Sequence, residues 1–332
     1  MNSKCKGAAL LLSMMMLAGC TQPKGPSTAE SAGVSVTATV ESAVAQQGYT
    51  FTDAIGNTVV LRSWDRVVSL YGSFAETWTL AGGTLVGATE DAVSERQLEL
   101  GPDVSIVGAV KEPNLEEILA AAPDFVILSA DVSAQVDFDA ALTEAQIPHA
   151  YYRVDTFAEY LAMLEQFCTL TGRQDLYEQN GLAVQTEIDA VLQTVQQAQE
   201  NPPSVLLLRA YSTGCKAKGA DNLAGVILQE LGADNLVERH ESLLEDLSIE
   251  EIVAADPDYI FVTTMGTSQE KALAWIEENL ASNPAWAGLK AVQNDHYTVL
   301  PKELFHYKPN TRWGESYRYL AALLYPELAD QL

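Results

Sequence analysis

The chain has 332 residues, a length that fits two domains, and carries 45 acidic against 19 basic side chains for a formal net charge of −26. So acidic a surface repels phosphate backbones, which excludes nucleic acid as a partner. The charge otherwise serves solubility.

Lys4 and Lys6 precede an apolar run from Ala8 to Ala18. A basic start and a brief apolar stretch read as a secretory signal, and the run is too short to span a bilayer. Leu17-Ala18-Gly19-Cys20 resembles a bacterial lipoprotein box. That resemblance implies a signal peptide over residues 1–19, cleavage before Cys20 and acylation of its thiol. The product is a protein anchored by lipid in the cell membrane and facing outside the cytoplasm. Residues 20–48, rich in Ser, Thr, Ala, Gly, Pro and Gln, read as a disordered tether. Of the other cysteines, Cys5 leaves with the signal, Cys168 sits in a helical apolar pattern and Cys215 in a Gly-rich loop. Two lone cysteines do not make a disulfide framework, and a Cys168–Cys215 bridge stays open.

A first lobe is expected over residues 49–155. Phe51–Asp53 and Thr58–Leu61 flank Ile55-Gly56-Asn57 as a hairpin. Arg66–Leu70 reads as a strand, Ser73–Leu80 as a helix ending at Gly82-Gly83, and Leu85–Ala88 as a strand. A helix follows Asn114 and breaks at Ala122-Pro123-Asp124, because a residue before proline prefers extended geometry. Strands at Phe125–Leu128 and Ala150–Val154 complete the lobe. Residues 156–201 read as interlobe helices. Asp155-Thr156 is an N-cap for Phe157–Thr169, Gly172 ends that helix, and residues 173–199 form a longer one, stopped by Pro202-Pro203. Its twenty-seven residues would span about 40 Å.

The second lobe is expected over residues 202–332. Val205–Leu208 opens it as a strand, Asn222–Leu231 is a helix closed by Gly232, and Tyr259–Val262 is a strand. Trp275–Leu280 and Pro284–Leu289 read as helices, His296–Leu300 as the last strand, and Glu315–Leu324 as the terminal helix. One segment occurs in both lobes. Residues 115–128 read LEEILAAAPDFVIL and residues 249–262 read IEEIVAADPDYIFV, identical at seven of fourteen positions. The spacing is too long for a solenoid repeat. The fold class is therefore α/β: two similar lobes with mainly parallel sheets, joined by one long backbone helix.

With these features the chain resembles the substrate-binding lipoproteins of iron-siderophore, haem and vitamin B12 ABC importers. The resemblance rests on the lipobox, Arg66–Leu70, Pro113–Glu116 with Pro123-Asp124, Leu170–Arg173, and Ser248–Glu250 with Pro257-Asp258, and it covers residues 49–328. It implies a monomer that captures a metal chelate in the interlobe cleft and delivers it to a permease and its ATPase. It also implies that Glu116 and Glu250 dock onto basic pockets of the permease. The family's rigid helix implies a small hinge motion.

Ligand contacts are expected from loops at the carboxyl ends of strands. These are Tyr71 and Ser73, Lys111, Tyr152-Arg153, Arg209 and Tyr211, Lys216 and Lys218, Met265, and His306, Tyr307 and Lys308. A basic focus on an acidic body favours an anionic ligand such as a ferric siderophore or haem. Tyr71, Tyr211, Tyr307 and Trp313 are candidates to lay aromatic faces on it. Met265 and His306 could ligate haem iron, and a corrinoid is the other alternative. No prosthetic group is expected. His149, His240, His296 and His306 show no zinc spacing, and Gly214–Gly219 lacks the Lys-Ser/Thr ending of a P-loop. With no Gly-x-Ser-x-Gly elbow either, a binding protein is expected rather than an enzyme. A tethered enzyme on the same fold is the remaining alternative.

Overall fold

The computed structural model describes residues 48–198, 201–245, 247–266 and 268–332. The signal segment, Cys20 and the tether up to residue 47 lie outside the described residues. Tyr49–Thr52 (β1) and Thr58–Leu61 (β2) pair antiparallel as the expected hairpin. Strands and helices then alternate through Val67–Ser69 (β3), Gly72–Leu80 (α1), Leu85–Ala88 (β4), Ser105–Ile106 (β5), Leu115–Ala120 (α2), Phe125–Ser129 (β6) and His149–Tyr152 (β7). The five strands β3 to β7 form one wholly parallel sheet in the order β5-β4-β3-β6-β7.

Helix Phe157–Thr171 (α3) starts at a capping box of Thr156 and Glu159 and ends at Gly172 in the left-handed region (φ 68°). The long helix follows, but not as one uniform α-helix. It runs through Gln174–Tyr177, a π-helical turn at Glu178–Leu182, and Ala183–Ala198 (α4). Glycine lets the turn pack closely: a Cβ on Gly181 would stand 2.7 Å from Leu161 of α3. The Asn180 carbonyl instead takes the Tyr160 hydroxyl at 2.9 Å.

The second sheet is built from Ser204–Tyr211 (β8), Gly214–Ala217 (β9), Asp234–Asn235 (β10), Tyr259–Thr264 (β11) and Tyr297–Val299 (β12). Its path is β9-β8-β11-β12, with β10 beside the start of β8; only β9 is antiparallel. The stretch read as a Gly-rich loop is thus an edge strand. Its helices include Leu223–Glu230 (α5), Ile249–Ala255 (α6), Gln269–Ile276 (α7), Lys302–Phe305 (α8) and Trp313–Leu324 (α9). The expected helix over residues 284–289 is a short 3-10 turn at Trp286–Gly288 followed by Lys290–Gln293.

Alternate strand residues face opposite sides. Val68, Leu70, Val126 and Leu128 fill an outer core of the first lobe, and Leu206, Leu208, Ile260 and Val262 an outer core of the second. Val67, Phe125 and Ile127 join α3, α4, Val205, Leu207, Phe261 and Tyr317 in one continuous cluster. The two lobes therefore share a core that runs through the connecting helices. Cys168 lies in this shared core and Cys215 in the second lobe's outer one, so the two thiols are free and buried apart.

Candidate functional site

In each sheet the strand order reverses next to the first strand of the lobe, between β3 and β6 and between β8 and β11. The crevice at the carboxyl ends of such strands is the favoured ligand position. The loops there close alike: Leu70 N–H donates to the Ile127 carbonyl at 2.9 Å and Met265 N–H to the Ala210 carbonyl at 2.8 Å. On the first lobe this edge carries Tyr71 and the start of α1. Gly72 is needed there, because a Cβ would stand 2.6 Å from the Ala92 nitrogen. Its N–H donates to Asp91 at 2.6 Å, and the Thr89 hydroxyl donates to the other oxygen of the same carboxylate. Burial raises the Asp91 pKa against these bonds. Burial also raises Tyr71, helped by Asp91, Glu95, Asp131 and Asp155.

The second lobe answers with cations. Arg209 on β8 and Lys216 on β9 are directly opposite in the antiparallel register, so they share one sheet face. The buried Arg209 Nε has no hydrogen-bond partner. Among the described residues no carboxylate lies within 4 Å of Arg209, Lys302 or Lys111. His306 sits among them. Burial and then the charges of Lys302, Arg209, Lys308 and Lys111 push its pKa down to about 4, so the imidazole is neutral at pH 7. Lys111 comes from the first lobe and the others from the second, which makes the cluster an interlobe one.

Bonds cross the cleft beside it. Lys308 Nζ donates to Asp155 at 2.9 Å, and Glu95 faces Tyr307, whose pKa is raised by burial and then by the Glu95 charge. Burial, then Asp91, raises the Glu95 pKa. Deeper in, the fully buried Asn310 donates from Nδ2 to the Ser73 carbonyl at 2.9 Å and to Glu76 at 2.6 Å. Arg96 holds the same Glu76 carboxylate.

The sequence-derived candidates separate accordingly. Lys111, Arg209, His306 and Lys308 come together, with Tyr71 and Tyr307 at the lobe edges. Lys218 is engaged by Asp221 and Arg153 by Asp131. Ser73 is buried, while Met265 and Tyr211 are half-buried. Trp313 is no ligand platform: it is fully buried, with its ring centroid 6.0 Å from that of Phe157. Lys302, which the sequence reading passed over, donates to the Gly266 carbonyl at 2.6 Å. The signal for it was present. Pro301-Lys302 directly follows the last strand, where the carboxyl-end rule points. Two hollows lie elsewhere, under the hairpin of the first lobe, with volumes of about 330 and 380 Å³. The first has only Arg153 as a cation, already paired, and the second has no lysine or arginine in its lining. Neither has the charge of the interlobe cluster. Among the described residues no group of three or more His, Cys, Asp or Glu could hold a bare metal ion, and no helix is long and apolar enough to cross a membrane.

A family model described as periplasmic binding protein matches residues 67–304. The Fe(3+)-citrate-binding protein YfmC of Bacillus subtilis (strain 168) is 25% identical over 296 residues, covering 86% of this chain and 85% of its own. Among solved structures, Staphylococcus aureus IsdE complexed with heme superimposes with a TM-score of 0.65 at 17% identity, over 79% of this chain and 99% of that one. Staphylococcus aureus SirA complexed with staphyloferrin B gives 0.62 at 22% identity, over 84% and 98%. At such identities the two structures establish a shared fold.

Proposed function

The chain belongs to the periplasmic binding protein family, and from that premise we propose that it captures an anionic ferric chelate of the citrate class between its lobes and hands it to an ABC permease. The observation that carries this reading is Arg209, whose buried Nε lacks a partner, beside Lys302, Lys308, Lys111 and a neutral His306. Of these, Arg209, Lys302 and Lys111 have no carboxylate partner among the described residues; such cations in a partly buried cleft attract a polycarboxylate, and arginine binds carboxylates in forked pairs. The ferric-citrate relative supports the same ligand class. The protein's part is capture and transfer without a reaction. Because the lobes share one core through α3 and α4, a small hinge motion suffices. Glu116 and Glu250, both exposed at the starts of duplicated helices, serve to dock the loaded protein on the permease. Lipid on Cys20 holds it at the outer face of the membrane.

Thermal unfolding with added ferric citrate tests the ligand. At a hundred times Kd a bound ligand stabilises by about 2.7 kcal/mol, which raises the midpoint by several degrees. Haem is the second reading, favoured by the neutral His306 imidazole, which is competent to bind iron. A haem absorption band that shifts on mixing and is lost in His306→Ala, with no stabilisation by ferric citrate, would replace the first reading with the second. For docking, Glu116→Ala with Glu250→Ala should stop uptake and leave chelate affinity intact.

A further inference from the structure

The duplicated segment sorts its residues by the work they do. Ile118 and Ile252 are fully buried and hold their helices to the outer cores. Ala122 and Asp256 both take left-handed backbone (φ 46° and 45°) where each helix ends. A cation closes each of these ends: Arg66 on the Ala121 and Ala122 carbonyls, Lys290 on Asp256. Asp124 braces the residues that lead into β3, and Asp258 the first residue of β8. Those matched positions are accounted for by folding.

One matched position is not. Leu119 is 41% exposed and Val253 37%. A lone exposed apolar side chain is ordinary. Among the described residues, however, only eight large apolar side chains are this exposed, and two of them occupy the same position of the repeat. Each lies three residues after a docking glutamate, Glu116 or Glu250, and residues three apart share a helix face. Each lobe thus presents a carboxylate with an apolar neighbour on one face.

We infer that Leu119 and Val253 are the apolar halves of two matched contacts, each seated with its glutamate in a socket of the permease that has a basic group at the rim and an apolar wall. The inference rests on the docking role proposed for Glu116 and Glu250. A membrane surface is the wrong partner, because Glu116-Glu117 and Glu250-Glu251 would be repelled by anionic headgroups. Two similar contacts on two similar lobes suit a partner with two similar sockets. The work divides between them: exposed charges steer the encounter and add little hold, whereas excluding water from an apolar side chain slows release.

The test compares two double variants of the full chain, produced in the native host from its own locus at equal abundance. Uptake of radiolabelled ferric citrate by the cells is measured beside binding of the same chelate to the purified proteins. Leu119→Ser with Val253→Ser should lower uptake about tenfold or more and leave chelate binding unchanged. Normal uptake by that variant, with uptake lost in Glu116→Ala with Glu250→Ala, overturns this inference and leaves the glutamate docking standing. Loss in the serine variant with normal uptake in the alanine variant also overturns the inference as stated, because the apolar contacts would then act without the glutamates they are paired with. Cells whose unaltered protein carries no ferric citrate overturn the ligand reading alone, and the two variants are then compared by uptake of haem, with the same outcomes deciding this inference.

Discussion

In the first lobe, Asp124 accepts bonds from the Ser63 hydroxyl and from the N–H groups of Asp65 and Arg66; in the second, Asp258 accepts from the N–H and hydroxyl of Ser204. The helix before each aspartate and the strand after it also correspond. The cleft edges of the same two lobes do not. The first lobe brings Asp91, Glu95, Asp131 and Asp155 to its edge, and the second brings Arg209, Lys302, His306 and Lys308. One frame has thus been kept twice and lined with largely opposite charges, Lys111 being the first lobe's contribution to the cation cluster. The acids of one lobe engage some cations of the other, as Asp155 does Lys308, while Arg209, Lys302 and Lys111 are left for an anion. On the proposed reading, asymmetry in lining, not in fold, makes the cleft selective.

If the surplus cations bind the ligand, removing them has the largest effect. Arg209→Ala with Lys302→Ala should weaken ferric citrate at least a hundredfold, or about 3 kcal/mol by equilibrium titration. Unfolding should be changed little, since neither side chain holds a carboxylate of the fold among the described residues. Unchanged affinity would break the comparison, because the charge contrast between the lobes would then have no ligand to serve.

The shared frame predicts a smaller, paired effect on stability. Asp124→Ala leaves two exposed N–H groups that water can satisfy and should cost about 1 kcal/mol in urea unfolding; Asp258→Ala, at a part-buried bond, should cost about 1–2 kcal/mol. Burial raises the Asp258 pKa, but the Ser204 bonds outweigh it and hold the carboxyl below its ordinary value. With the folded value lowered, that stability is present above the ordinary carboxylate pKa and is lost as pH falls through the folded one. The difference between wild type and Asp258→Ala should therefore shrink below about pH 4. A difference that persists in acid would remove the brace.

Much of this frame is legible in the chain itself. Short apolar runs after Pro-Asp breaks, the Thr156 cap and Gly172 are local signals, and the structure places strands, cap and helix end where those signals lie. What is not legible is what depends on distant neighbours. Gly214 and Gly219 read as a loop because the pairing of β9 with β8 is decided by the sheet it borders. The π-turn lies where Leu161 approaches Gly181, and spacing along one helix does not report that neighbour. Trp313 reads as a ligand platform until the shared core claims it. The site divides the same way. That the loops are basic is visible in the sequence, whereas which cations stay unpaired is settled by partners such as Asp155 and Asp221, which only the fold brings into contact.

Asp155 gives the finest test, since its effect should be small and opposite in sign to that of Arg209. Its carboxylate and an anionic ligand compete for the same ammonium group, Lys308 Nζ, 2.9 Å away. Asp155→Asn keeps the backbone N–H that donates to Glu159 and keeps the side-chain shape, while removing the charge. The pair is partly exposed, so its loss should cost the fold about 1 kcal/mol or less. Ferric citrate should then bind a few-fold tighter, and the gain should fade with added salt as the charges are screened. Weaker binding would instead mean that Asp155 holds Lys308 in position for the ligand. The acidic edge of the first lobe would then be part of the binding surface and not its competitor.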